Sequence, residues 1–481
     1  MSNVQGESDV SPTESETTRM AGNFPHGSRE TPVTSASPME ADRSEKARCL
    51  KSDAQVTGES HSSIVPVKPA NNDGVPPPAE LVEGRELTEE NTEQSLLARI
   101  QCRNRNGSPF RPRSRGLPGV RQAAQKDRRQ KFTNLLHHLT PELLRVSFFE
   151  LKKQAAPGVD GETWNDYAVD YERRIDDLHG RIHRGAYRAK PSKRTFIPKA
   201  DGKLRPLGIA ALEDKIVQQA ARTVLECIYE QDFLGFSYGF RPGRSQHQAP
   251  DALYVGIIKR KVNWIIDTEI RGFFDNIRHE WLMKFLEHRI ADQRMLRLLK
   301  KWLRAGVSED GEWSPTTVGT PQGAVISPLY ANVFLHYVLD LWIHDWRRRQ
   351  AKGEVTIVRY ADDFVIGFRE ESDARRCLAA LRVRFAKFGL ELHPEKTRLI
   401  ELGRYAEERR AKRGEGPPET FDFLGFTHIS GKTRRGAFTI HRHTSRKKFQ
   451  AKLLEMKGEL SRRIHADLAQ VGAWLQSVSR G

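Results

Sequence analysis

Apolar positions divide the chain into an unpatterned beginning and a patterned remainder. From residue 1 to about 95, Ser, Thr, Glu, Pro and Gly dominate, and Phe24 is the only aromatic residue before Phe110. Such a stretch buries too little apolar surface to offset the entropy of ordering, so residues 1–95 are expected to be disordered. Val75-Pro76-Pro77-Pro78 would stiffen one piece of it. Periodicity begins near Phe132, where Leu135, Leu136, Leu139, Leu143 and Leu144 recur at helical spacing. Ala156 to Gly161 is a turn-rich break. Residues 195–198 and 207–209 read as strands around a turn at Ala200-Asp201-Gly202, and helices are expected over 212–230 and 246–260. Pro250 lies inside the second helix, where it should remove a hydrogen bond and bend or shorten it. Residues 262–270 alternate as a strand, with Trp264, Ile266, Thr268 and Ile270 on one face and Ile265, Asp267 and Glu269 on the other. A helix over 279–305 and further strands at 355–360 and 364–368 complete a mixed α/β body.

Charge adds a partner to this picture. The 481 residues carry a formal net charge of +17, with a pI near 9.7, and only 37% of them are hydrophobic. The length allows two or three domains. The excess of positive charge points to a polyanion, by default nucleic acid, although a basic protein without such a partner has the same composition. Residues 103–131 hold ten Lys and Arg against Asp127 alone, which reads either as a phosphate-binding arm or as a solvated charge run. Cys49, Cys102, Cys227 and Cys377 are too scattered for a zinc site or a disulfide framework. Neither a signal core nor a run of about 18 apolar residues is present, so no membrane association is expected and the cytoplasm is the expected location.

The candidate chemistry sits at Tyr360-Ala361-Asp362-Asp363. Two β-prone segments flank it, so a hairpin would present the carboxylates at its tip. Asp is common in turns, and the pair alone is weak evidence. Next to apolar strands, however, acids are costly unless they face solvent or bind a cation. The strand ending at Glu269 supplies a third acid. Phosphoryl transfer by two Mg²⁺ ions requires hard oxygen ligands from neighbouring strands, about 3.5–4 Å between metals. Glu269, Asp362 and Asp363 are therefore the candidate catalytic residues and metal ligands.

Further motifs fall in order around these acids. They are Lys203-Leu204-Arg205-Pro206-Leu207-Gly208, Ser237 to Ser245, Gly319-Thr320-Pro321-Gln322-Gly323 with Ile326-Ser327-Pro328-Leu329, Gly389 to Thr397, and Phe421 to Phe426. Together they resemble the reverse transcriptase/maturase encoded by group II introns, over roughly 155–428. The resemblance implies an α/β (α+β) right-hand polymerase with fingers, palm and a partial thumb. Residues 1–95 would be the disordered region, 96–131 a basic arm, 132–260 the fingers and start of the palm, 261–428 the palm, and 429–481 a partial thumb or maturase region. It also implies nucleotide binding by Lys203, Arg205, Phe274, Gln322 and Lys396, with Arg205 clamping phosphate oxygens, Lys396 near the pyrophosphate, and Phe274 as a gate against the ribose 2′-hydroxyl or else a core aromatic. Arg241 and Arg244 would contact nucleic acid.

The implied reaction is RNA-directed addition of dNTPs to a primer 3′-hydroxyl with two Mg²⁺. Its partners would be intron RNA, or an RNA template with a DNA primer. Three departures from the family pattern stand out. Glu269 occupies a place where the family usually has aspartate, Arg278 one where it tends to have an acid, and the chain ends early in the thumb. An RNA-binding maturase impaired as a polymerase is thus a second reading, and an RNA-templated RNA polymerase a third.

Overall fold

A computed structural model describes residues 116–198 and 204–480. Lys203, residues 1–95, for which disorder was expected, and the first part of the basic arm lie outside the described residues. The last part of that arm does not stand apart. Among the described residues the first helix is Leu117–Lys126, whose Val120 and Ala124 are buried in the main core.

Among the described residues eleven strands form three sheets. The first is β2-β1-β4-β5, from β1 (Ser192–Pro198), β2 (Leu204–Ile209), β4 (Val307–Glu309) and β5 (Glu312–Ser314). The second is β6-β7-β3-β8, from β3 (Trp264–Glu269), β6 (Val355–Tyr360), β7 (Asp363–Phe368) and β8 (Arg398–Glu401). The third is β11-β10-β9, from β9 (Phe421–Phe423), β10 (Phe426–Lys432) and β11 (Phe438–Thr444).

The second sheet is antiparallel throughout and buried on both faces. Ile266, Phe364, Ile366 and Phe368 pack into the large helical core. Ile265, Val358 and Val365 pack instead with Leu253, Ile257, Phe421 and Phe423, under the helix Gln248–Lys259 and the third sheet. The two-residue alternation of each strand therefore serves two cores at once.

Several expected elements are corrected. The leucines from 135 to 144 form a 3₁₀ turn, Leu136–His138, and a separate helix, Pro141–Glu150. Pro141 starts that helix, and the Thr140 hydroxyl accepts from the Leu143 N–H at 3.2 Å. The helix expected over 279–305 is two helices, His279–Glu287 and Gln293–Arg304. Asp292 separates them, accepting from Arg294 and Met295 N–H and, across the fold, from Leu135 and Leu136 N–H at 2.7 and 2.9 Å. Pro250 falls in the first turn of Gln248–Lys259. A first-turn N–H has no partner within the helix, so the proline costs nothing there. In the region 429–481, the helix Arg446–Arg462 buries none of its residues. Among the described residues no helix is long and apolar enough to cross a membrane.

Candidate active site

The acids gather at one end of the second sheet. Strand β7 begins at Asp363 itself, so the hairpin turn is Ala361-Asp362 rather than a three-residue loop. Asp363 is paired with Tyr360 on one side and with Glu269 on the other. Directly opposed residues share a face and lie about 4.5–5.5 Å apart at Cβ. Asp267, two residues before Glu269, projects from that same face.

Desolvation and mutual repulsion act on this group. Burial, followed by Asp267, Asp362 and Glu269, pushes the Asp363 carboxyl up to about 7, against a hydrogen bond from the Leu424 N–H. Burial raises Asp362 as well, Glu269 adds to it, and Arg205 and Arg359 oppose it. Asp267 is not a spare ligand, because Arg398 binds it at 2.9 Å. Glu269 is turned onto Lys396, with Oε2 2.6 Å from Nζ. That contact is built by the backbone. His393 N–H donates to the Glu269 carbonyl at 2.9 Å, and the Thr268 and Thr397 hydroxyls meet at 2.8 Å.

These donors suit a divalent cation chemically, being hard oxygens whose negative charge has too little compensation. Their placement is less complete. Among the described residues no three His, Cys, Asp or Glu side chains are grouped to hold a metal ion. Asp362 and Asp363 stand ready, and Glu269 would join them only by leaving Lys396.

The raised Asp363 carboxyl has a consequence for stability. A carboxyl whose folded pKa lies above its unfolded value favours folding below about pH 4, and that contribution is lost as pH rises toward 7. Asp363→Asn is therefore expected to stabilise the metal-free protein above pH 7 by about 1–3 kcal/mol, and to change little at pH 4. Thermal melts with chelator at both pH values would check this; equal stability at pH 8 would contradict it.

The surrounding loops bring the other predicted residues together. Arg205 on β2 donates to Gln322 Oε1 at 2.8 Å. The loop carrying Gln322 is clamped on both sides. Gly208 N–H donates to the Gln322 carbonyl at 2.6 Å, and Thr320 N–H to the Phe274 carbonyl at 2.8 Å. A side chain at Gly319 (φ +86°) would meet the Asp275 carbonyl at 2.9 Å, so the approach depends on glycine. Phe274 is half-buried and lies edge-on to Phe240 at 6.4 Å. Phe240 is 42% exposed with φ of 61°, and the sequence offered no signal that singled it out.

Arg241 needs correction as a nucleic-acid contact. It is buried, holds Glu230 at 2.9 Å, and donates to the Leu234 and Ser237 carbonyls. All three guanidinium nitrogens are committed inside the protein, so it staples its loop. Arg244 is half-buried, stacked 5.1 Å over Tyr238, with one bond to the Gly235 carbonyl, and keeps donors free. Arg278 lies across Gly389, filling the space a side chain would need there.

One functional residue was missed. Arg359 is fully buried and binds Asp340 Oδ1 and Oδ2 at 2.7 and 2.5 Å. It also donates to Asn332 Oδ1 (3.1 Å), Ser237 Oγ (2.7 Å) and the Ala361 carbonyl (2.9 Å). All five guanidinium donors are used. Ala361 has φ of 56° and forms the turn that carries Asp362. The available signal was an arginine within the apolar run Val355 to Tyr360, where an unpaired charge would be untenable.

Residues 197–428 match the family model described as reverse transcriptase (RNA-dependent DNA polymerase). Protein YkfC of Escherichia coli is 33% identical over 300 residues, 54% of this chain and 78% of that protein. The group II intron-encoded protein LtrA of Lactococcus lactis is 35% identical over 237 residues, 47% of this chain. The chain spans only 38% of LtrA's length. A solved telomerase from Candida tropicalis aligns over 57% of this chain and 60% of that one, with 13% identity and a TM-score of 0.38.

Proposed function

The chain belongs to the reverse transcriptase family, in the branch of the group II intron-encoded proteins, and from that premise we propose that it extends a DNA primer on an RNA template with dNTPs. The observation that carries the reading is the placement of Asp362, Asp363 and Glu269 at one sheet end, beside a loop bearing Gln322 that Arg205 on β2 and the Phe274 carbonyl both hold. Proteins of this family use divalent metal ions. Two Mg²⁺, held by Asp362 and Asp363 with Glu269, would lower the pKa of the primer hydroxyl and neutralise the triphosphate.

The residues themselves supply the rest. Arg205 offers a planar fork to phosphate oxygens once it releases Gln322. Phe274, half-buried and edge-on to Phe240, would gate the sugar position and favour deoxyribose over ribose. Lys396 would neutralise phosphate charge once it leaves Glu269. Arg244 keeps donors for the backbone of the bound strands.

A second reading, an RNA-binding maturase impaired as a polymerase, draws on the Lys396–Glu269 ion pair. That pair must open before Glu269 can serve a cation. Primer extension separates the two readings. The wild-type chain is expected to extend with dNTPs and Mg²⁺ and to discriminate against rNTPs. Glu269→Asp shortens the arm, frees Lys396 and is expected to raise the rate by about ten- to a hundredfold. A silent wild type whose activity appears only in Glu269→Asp would sink the active-polymerase reading.

A further inference from the structure

A second basic feature lies along the other edge of the catalytic sheet. Strand β6 is the sheet's outer strand, and beside it runs a groove of about 530 Å³. The helix Gln248–Lys259 forms one wall, the 235–238 loop forms another, and Arg347 closes one side. Ile357 lies in its floor, four residues before Ala361, or about 13 Å along the strand. The groove is thus separate from the carboxylates at the hairpin tip.

Its charge is unbalanced. Lys259, Arg260 and Arg347 line it, with Asp251. Asp251 is taken by Arg442 at 2.7 Å, and Arg260 is paired with Glu354 at 2.5 Å. Lys259 is exposed and Arg347 half-buried, and neither has an acid among the described ion pairs. Arg347 donates only to the His344 ring nitrogen at 2.9 Å. Its guanidinium sits 5.5 Å over the Phe236 ring. Stacking holds the fork's plane while leaving edge N–H donors open, the arrangement that suits an anion. Burial, then Arg260 and Arg348, lower the Arg347 pKa, so an anion would relieve an existing repulsion.

The strand edge adds a donor. Arg359 faces this side with its backbone, accepting from Tyr238 N–H at 2.8 Å and donating to the Phe236 carbonyl at 2.9 Å. By alternation, Ile357 turns both its N–H and its carbonyl to the same side, at the buried floor of the groove. Two cations without an acid, one of them held flat over an aromatic ring, in an open trough match the electrostatic part of single-stranded polynucleotide binding, contact with its phosphodiester backbone. We propose that this groove binds the phosphodiester backbone of a single-stranded RNA segment, outside the polymerase site.

The choice of RNA over another polyanion rests on the reading proposed above; the site itself does not. The test uses the full chain and a fluorescent, unstructured oligouridylate, with anisotropy read across a KCl series. Lys259→Ala/Arg347→Ala is expected to weaken binding roughly tenfold and to flatten the slope of log K against log salt by about 1.4, two phosphate contacts' worth. Lys259→Glu, at an exposed position, should weaken binding without touching the fold. Arg404→Ala/Lys412→Ala removes two exposed cations elsewhere and should leave affinity nearly unchanged. Extension of a short pre-annealed template–primer should keep its turnover in all variants.

Unchanged RNA affinity in the groove variants would overturn the proposal, and so would an equal loss in the control. Competition by polyglutamate with no RNA effect would overturn it in favour of an acidic peptide. Displacement by inorganic phosphate at equal phosphate concentration would reduce the site to a simple anion pocket. A wild type that binds RNA through the groove but fails to extend would sink the polymerase reading and leave this one standing.

Discussion

Arg359→Met is expected to unfold the protein or leave it insoluble, and Arg359→Met/Asp340→Leu to restore the fold without restoring primer extension. The single change strands Asp340, which is fully buried, without its counter-charge. Breaking a buried pair by removing one partner costs about 3–5 kcal/mol. That is a large part of the total stability of a typical domain. Replacing both partners with apolar groups of similar volume is often neutral.

The double variant still lacks the bonds from Arg359 to the Ala361 carbonyl, Asn332 and Ser237. Asp340 ends a π-helical segment, His336–Asp340, a local distortion of the kind found at functional sites. Without its anchor, the turn carrying Asp362 shifts against Glu269. A displacement of about 1 Å in a catalytic group can cost 10²-fold. Circular dichroism melts together with extension rates would check both halves. A double variant with a wild-type melt and wild-type extension would show that the arginine only fills space.

Gly239→Ala is expected to lower extension by about two orders of magnitude with the nucleic-acid surface untouched. A methyl at this position would stand 2.3 Å from the Ala361 nitrogen and 2.9 Å from the Tyr360 carbonyl carbon. Both are backbone atoms, so no side chain can swing aside. Overpacking of this kind costs about 1–3 kcal/mol. Because Asn332 Nδ2 holds the Gly239 carbonyl at 2.8 Å, the loop cannot retreat freely and the strain falls on the catalytic turn. The expected signature is a loss in turnover larger than the loss in melting temperature. An alanine variant with normal turnover would mean that the turn tolerates the shift.

Both predictions rest on residues that local patterns leave obscure. The hairpin at 355–368 was legible because short β-prone apolar runs and a short acidic turn are local features. The loop Gly319 to Gly323 was legible through its resemblance to the family's glutamine-glycine element, a short Gly-Pro loop. The break between His279–Glu287 and Gln293–Arg304 was not, because Asp292 is held by Leu135 and Leu136, which lie far away in the chain. The ten-residue helix at Leu117 was hidden in the same way. Its charged sequence reads as an arm, and only Val120 and Ala124 turn inward.

By itself, the sequence determined which acids stand at a strand end and a hairpin tip. Backbone periodicity and turn chemistry act over a few residues, so they can be read along the chain. Tertiary structure alone decided how the charges are shared. Lys396 meets Glu269 across 127 residues, Arg398 takes Asp267 across 131, and Arg359 reaches Ser237 across 122. A charge's role depends on which opposite charge or dipole lies within a few ångströms and on how much water remains between them. Packing of distant segments sets both, which is why Arg241 became a staple while Arg359 became the support of the catalytic turn.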